Sequence, residues 1–387
     1  MLLPLWAFSA VAVSPAIAGG LVLDFPVSKH NSYPVIEAKI GTPPKSYRLL
    51  FDTGSDATWV ASSSCTPQDC PNSSGYQRVL YNVSASSSGL LTGPSSSIGY
   101  IDGGKVTGPT AKDVFSDGKS TWEQTFMAAN TSTWRNLPAD GFVGLSFQSS
   151  YTEGGIETVM HTLLPKLKKP RFGMVVNGKE DTTPNGGLLT LGDSREKRFV
   201  KGPMVTVPIV KRNGQFDMWR STTPGMIITT SGSNTPGRHG RPSSSASRVS
   251  FGSSSAIFDS GAGNMYVPKG TIEAVYAAMG WNYTKLLTHE HTPLCSEFNS
   301  SWSITFEFGP DTAAVSKLTL TGDELARPGF AYRQDACFPP FLESNEDNLM
   351  LIGTPFLKNF YTVWDFGSHD PAAYNPTLSF GKLKGNA

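Results

Sequence analysis

Two stretches decide how this sequence reads: LLFDTGSDATWV at residues 49–60 and AIFDSGAGNMYV at residues 256–267. Each carries an apolar, strand-like run into Asp-Thr/Ser-Gly and then resumes with aromatic or apolar residues. Each is followed at similar distance by a second short motif. Gly141-Phe-Val-Gly144 ends 92 residues after Asp52, and Met350-Leu-Ile-Gly353 ends 94 residues after Asp259. The same two elements in the same order, twice, imply a duplication. The expected product is two homologous lobes related by an approximate twofold, with their aspartate loops facing across a cleft. Either Asp-Thr/Ser-Gly alone would be an ordinary β-turn; the recurrence with matched flanks is what separates the pair from chance.

Such a pair has a definite chemistry. Glycine lets the backbone turn tightly and approach closely, and the Thr or Ser hydroxyl can bond locally to hold the loop. Two carboxylates brought together cannot both ionise easily, so they share a proton over a broad pH range. One member then serves as base and the other as acid, enough to drive water onto a peptide carbonyl without a covalent intermediate.

Moving outward, the chain has 387 residues, 39% hydrophobic and 16% charged, too apolar for disorder and too interrupted for a membrane bundle. With 32 basic and 31 acidic residues, the net charge of +1 offers no excess for binding nucleic acid. The 39 Gly and 28 Pro are scattered, as in many short strands joined by turns. The fold class expected is all-β. Ile156–Leu164, stopped by Pro165, and Thr271–Met279, ending at Gly280, are the clearest helix candidates. Thr229–Ser255, rich in Ser, Gly and Arg, reads as a mobile loop.

Residues 1–18 form an apolar run ending in Ala16-Ile17-Ala18 and read as a signal peptide, although the positive n-region is missing. No later run is long enough to span a bilayer and no lipid-anchor tail follows, so the expected product is secreted, or held in the lumen of the secretory or vacuolar route, with no membrane anchor. Five N-x-Ser/Thr sequons, at Asn72, Asn82, Asn130, Asn282 and Asn299, are candidate glycosylation sites there. Four cysteines allow three pairings; Cys65 with Cys70 and Cys295 with Cys337 is the simplest. A zinc site is disfavoured for want of a C-x-x-C pair, and His289-Glu-His291 reads as a surface accident rather than a metal site. No metal and no cofactor is expected.

With these residues in view, the sequence resembles the pepsin-like aspartic endopeptidases of the fungal secreted type, from about Tyr33 to Leu383. The resemblance implies a bilobal fold of two homologous β lobes with a central cleft and a flap hairpin. It assigns catalysis to Asp52 and Asp259, and support of the dyad to Thr53, Gly54, Ser55, Ser260 and Gly261. Trp59 and the Cys65-x4-Cys70 pair stand at the family's spacing, and Cys295 with Cys337 is similar to its C-terminal disulfide. Residues 98–108 look like the flap, with Tyr100 bonding Trp59 and Asp102 contacting substrate backbone. The division implied is a short N-terminal segment at 19–32, an N-terminal lobe with flap at 33–204 and a C-terminal lobe at 205–387, the lobes sharing a sheet. Polypeptide substrates, a preference for apolar residues flanking the cut and a monomeric enzyme follow from the same likeness.

Three departures qualify it. Ala262 stands where the family often has a hydroxyl residue, which should raise the pair's lower pKa and carry activity to less acid pH than in an Ala262→Thr variant. Ile101 replaces a flap glycine. Residues 19–32 are too few for the usual basic pro-segment, so the enzyme is expected either to emerge competent and be held back by pH, or to serve a role needing no zymogen. Glycine fingerprints for nucleotides and the G-x-S-x-G elbow of serine hydrolases are missing. The competing reading is a protease-fold binding protein, or a cleft repurposed for small-molecule chemistry.

Overall fold

The computed structural model describes residues 20–30, 33–101, 103–148, 155–176, 186–231, 244–310 and 314–384. The structure is all-β, built on two sheets. The 14-stranded sheet carries most of the first half of the chain and continues into strands Phe360–Asp365 and Thr377–Lys382 near the C-terminus. The seven-stranded sheet belongs wholly to the second half, between Arg220 and Ile352. The two halves are therefore joined by hydrogen-bonded strands rather than by a linker: Arg171–Val175 pairs antiparallel with Phe360–Asp365.

Residues 23–30, expected to precede the first strand, are themselves a strand. They pair with Gly187–Leu191 and then with Tyr33–Ile40. Leu23, Phe25 and Val27 are buried while Asp24 and Pro26 face solvent, the period-two alternation of a half-buried strand. Where the halves meet, Trp219 lies edge-on to Trp364 with ring centroids 5.3 Å apart, and Phe147 packs 4.6 Å from Trp219. Trp219 Nε1 also donates to Leu145 O at 3.1 Å, so the aromatic block is registered by a hydrogen bond as well as by shape.

Both helix candidates are present in shortened form. Val159–Leu163 is α-helical, capped by Thr158, whose hydroxyl accepts from His161 N. Pro165 does not end the turn; it occupies the first turn of a 3-10 segment, Leu164–Lys166, where a missing N–H costs nothing. Ile272–Ala278 is the second helix, and Gly280, at φ +81°, ends it.

The expected loop at 229–255 is a correction. Strands Arg220–Ser231 and Ser244–Phe258 run antiparallel through that stretch, with Thr229 opposite Ala246 and Thr230 opposite Ser245; residues 232–243 lie outside the described residues. Serine on an exposed strand face pairs across the ladder, as Thr230 Oγ1 does with Ser245 Oγ at 2.8 Å, so a polar composition here hides a hairpin. Both disulfides are formed as expected, Cys65–Cys70 and Cys295–Cys337, with Cα separations of 5.6 and 4.9 Å.

Candidate active site

The two aspartates sit at equivalent places in the two halves. Strand Lys45–Asp52 runs parallel to Gly141–Gly144 with Asp52 opposite Gly144. Strand Ser244–Phe258 runs parallel to Leu349–Ile352 with Phe258 opposite Ile352, and Asp259 N donates to Ile352 O at 2.9 Å. The apolar-apolar-Gly motifs thus cross behind the aspartate loops. Glycine is required at the crossing: a Cβ on Gly144 would lie 2.6 Å from the Asp56 carbonyl carbon, and one on Gly353 would run into the Ala262 and Asn264 carbonyls.

The loops are tied to each other by a reciprocal set of four hydrogen bonds. Thr53 Oγ1 donates to Phe258 O at 2.9 Å and accepts from Ser260 N at 2.9 Å. Ser260 Oγ donates to Phe51 O at 2.8 Å and accepts from Thr53 N at 3.1 Å. Both hydroxyl residues are fully buried, so every donor and acceptor in the ring is satisfied without water. Each carboxylate accepts from the glycine of its own loop, Asp52 Oδ1 from Gly54 N at 2.8 Å and Asp259 Oδ1 from Gly261 N at 2.7 Å. Each also lies against the glycine of the other loop. A Cβ on Gly54 would stand 2.6 Å from Asp259 Oδ2, and one on Gly261 would stand 2.7 Å from Asp52 Oδ1. Each carboxylate is held against the opposite loop with space for glycine only.

They open into a cleft of about 520 Å³. Tyr33, Ile98, Trp134 and Phe142 line one side, and Met218, Ile257, Leu349 and Leu351 the other. Strands Leu90–Gly99 and Lys105–Ser116 pair as a hairpin whose Gly99, Tyr100 and Ile101 line the cleft, and Ile101 is half exposed. Asp102 lies outside the described residues. Tyr100 accepts from Trp59 Nε1 at 2.8 Å, packs edge-on to Trp134 and Phe142 with centroids 5.4 Å away, and hydrogen-bonds the Ser55 side chain. Burial first, and the nearby Asp52 charge second, hold its phenol well above the usual pKa. It therefore keeps its proton at any working pH and remains a donor as well as an acceptor.

The loops differ behind the glycines. In the first, Ser55 Oγ accepts from Ala57 N at 3.2 Å and joins Tyr100. In the second, Ala262 offers only backbone: its N–H donates to Asp259 Oδ1 at 3.2 Å and its carbonyl accepts from Thr354 N at 2.8 Å. Behind the first loop, Asp140 is fully buried and accepts from Arg48 N at 2.7 Å and Val79 N at 2.6 Å. Burial raises its pKa, and those N–H bonds oppose the rise. On the cleft's other side, Arg220 lines the cleft and forms a buried bidentate pair with Asp217 at 2.7 and 2.9 Å.

Neither Asp140, Trp134 nor the Asp217–Arg220 pair stood out in the sequence. Asp140 directly precedes the Gly141–Gly144 motif, and that adjacency was the available signal. The sequon residues Asn72, Asn82, Asn282 and Asn299 are exposed, and Asn130 is half-buried. His291 faces Glu297 at 3.1 Å and packs edge-on to Trp281; no group of three or more His, Cys, Asp or Glu suited to a metal occurs among the described residues. Among the described residues, no helix is long and apolar enough to cross a membrane.

Compared with known proteins, residues 33–371 match the profile of the eukaryotic aspartyl protease family. The chain is 30% identical to rhizopuspepsin-5 of Rhizopus niveus over 340 residues, covering 85% of this chain and 75% of that protein. It is 25% identical to the probable aspartic-type endopeptidase opsB of Aspergillus oryzae over 361 residues, covering 90% and 69%. It is 28% identical to human napsin-A over 357 residues, covering 87% and 75%.

Proposed function

Since the chain belongs to the eukaryotic aspartyl protease family and is an aspartic-type endopeptidase, we infer that Asp52 and Asp259 are its catalytic pair. The observation that carries this is the crossed packing: Asp259 Cγ lies 2.4 Å from where a Cβ on Gly54 would be, and Asp52 Cγ 2.7 Å from where one on Gly261 would be. Carboxylates so close share one proton. The ionised member takes a proton from a water between them as that water attacks the scissile carbonyl, while the protonated member gives its proton to the carbonyl oxygen. Collapse of the resulting gem-diol returns a hydroxyl proton through the pair to the leaving amine. The C–N bond breaks, and acid and amine products leave with the dyad reset.

The neighbouring residues have supporting roles in this reading. Thr53, Ser260, Gly54 and Gly261 fix the pair, Ser55 links it to the flap, Tyr100, braced by Trp59, closes over the peptide to exclude water, and Asp102 is assigned to contact substrate backbone. The apolar lining on both sides of the cleft supports a preference for apolar side chains flanking the cut. The enzyme acts on polypeptides as a monomer of two lobes, residues 33–204 and 205–387. It enters the secretory route by its first 18 residues and carries glycans at exposed sequons.

Digestion of a denatured protein across roughly pH 3 to 7, with and without a peptide-mimicking dyad inhibitor, tests the reading. Inhibitor-sensitive cleavage, silent in Asp52→Asn, is expected. Equal silence of wild type and Asp52→Asn would favour a repurposed cleft.

A further inference from the structure

The second aspartate loop lacks the side-chain hydroxyl that follows the glycine of the first, and the structure holds something else against it. Residues 260–263 read Ser-Gly-Ala-Gly: two glycines, and no hydroxyl at the position where the first loop has Ser55. A chain so composed has much conformational freedom to lose. The Cβ side of Gly263 is open, while the carbonyls on either side of it, Ala262 O and Asn264 O, pack against Gly353. What reaches it is Arg327. One guanidinium nitrogen, Nη1, donates to Gly263 O and to Asn264 Oδ1 at 3.2 Å. The other, Nη2, donates to the same Asn264 Oδ1 at 3.2 Å and to Pro339 O at 3.5 Å. The face of the guanidinium lies 5.2 Å from the Phe338 ring.

None of these partners is a carboxylate. A second cation stands close by: Lys358 Nζ donates to Ala326 O at 3.2 Å, and burial first, then the charges of Lys29 and Arg327, push its pKa down to about 8. Burial likewise lowers Arg327, to about 10. A cation kept largely out of water without an acid in contact is costly, and a carbonyl-only environment repays it less than a carboxylate would. The residue is not there as half of a salt bridge. Its planar fork instead spans three acceptors on two chain segments, a task for which lysine's single ammonium is unsuited.

We propose that Arg327 is a positioning residue of the catalytic site, clamping Gly263–Asn264 so that Asp259 is held in register with Asp52. The inference rests on the dyad reading above.

The test measures kcat and KM per active site, the sites being titrated with a tight peptide-mimicking inhibitor, for wild type, Arg327→Gln, Arg327→Lys, Asn264→Ala and Asp259→Asn. Loss of the clamp is expected to lower kcat about 10- to 100-fold in Arg327→Gln, the scale of a small misplacement of a catalytic group, with KM changed by no more than about threefold. Arg327→Lys, keeping charge without the fork, should recover less than half of the loss. Asn264→Ala, which leaves the arginine in place and removes its shared acceptor, should lower kcat several-fold and serves if Arg327→Gln does not fold. Full kcat per titrated site in the arginine variants and Asn264→Ala, whatever their melting temperatures, overturns the clamp. Undiminished turnover in Asp259→Asn would instead remove the dyad reading.

Discussion

At the scale of single residues, the site is governed by what two glycines leave out. Because a methyl on Gly54 would fall 2.6 Å from Asp259 Oδ2, Gly54→Ala should cost at least about 100-fold in kcat/KM while the core stays folded, as assayed by turnover and melting temperature together. Retained activity would mean the loops relax apart without consequence. Ala262 invites the opposite experiment. Asp259 Oδ1 already accepts from two N–H groups, and a threonine hydroxyl at 262 would add a third donor favouring the ionised form. In Ala262→Thr the acid limb of the pH–rate profile should move about half a unit to one unit lower than in wild type. Superimposable profiles would refute that. The placement of the two aspartates and their hydroxyl neighbours was legible in the sequence because each set stands within a dozen contiguous residues, whereas Trp59 was singled out only through the family likeness. Arg327 was not: it lies far along the chain from Asp259, and a lone arginine between Ala326 and Pro328 carries no local signature.

At the scale of elements, the flap and the polar hairpin show two kinds of legibility. The Tyr100–Trp59 bond joins groups 41 residues apart and was anticipated only through the family likeness. Tyr100→Phe keeps the ring among Trp134 and Phe142 but leaves the buried Trp59 Nε1 without its acceptor, at a cost of about 1 to 2 kcal/mol. It should lower kcat/KM by about tenfold, more through kcat than through stability, since the flap excludes water only when closed. Unchanged kinetics would remove the phenol from the mechanism. The strand pair Arg220–Ser231 and Ser244–Phe258 was misread because serine and glycine signal turns in isolation, whereas here the cross-strand ladder, the Thr230–Ser245 hydroxyl pair and, on Arg220–Ser231, the neighbouring strand Trp302–Phe308 hold it extended. The strand at Leu23–His30 had a readable alternation of apolar residues that the adjoining signal-like run obscured.

At the scale of the whole molecule, the duplication predicted two lobes, and the shared sheet explains why no linker was needed between them. The near-neutral charge leaves acid behaviour to individual carboxylates rather than to a global field. Asp193 is one that sets a lower limit. Burial opposes its ionisation, but Lys169, the Ser194 N–H and Lys168 outweigh burial and bring its pKa down to about 2. A depressed carboxyl pKa stabilises the fold above its unfolded value near 3.8, and that contribution is lost as pH falls from there toward 2. Both lysines are near half exposed, so screening reduces the effect to on the order of 1 kcal/mol. Asp193→Asn should be less stable than wild type at pH 5 and converge with it near pH 2 in denaturant melts. A constant difference across that window would contradict the assignment. Asp140, whose pKa is raised, has the opposite sign: its contribution is present at acid pH and fades as pH rises through its folded value.

The central claim, that Asp52 and Asp259 act as one proton-sharing unit, is tested most directly by kcat/KM for Asp52→Asn, Asp259→Asn and the double variant on one peptide. Asparagine preserves shape and the N–H bonds from Gly54 and Gly261, so the fold should persist. Groups acting as a unit are non-additive: each single variant should lose at least about 1,000-fold, and the double variant should be little worse than either. A single variant within about tenfold of wild type, or losses that multiply in the double, would contradict the account.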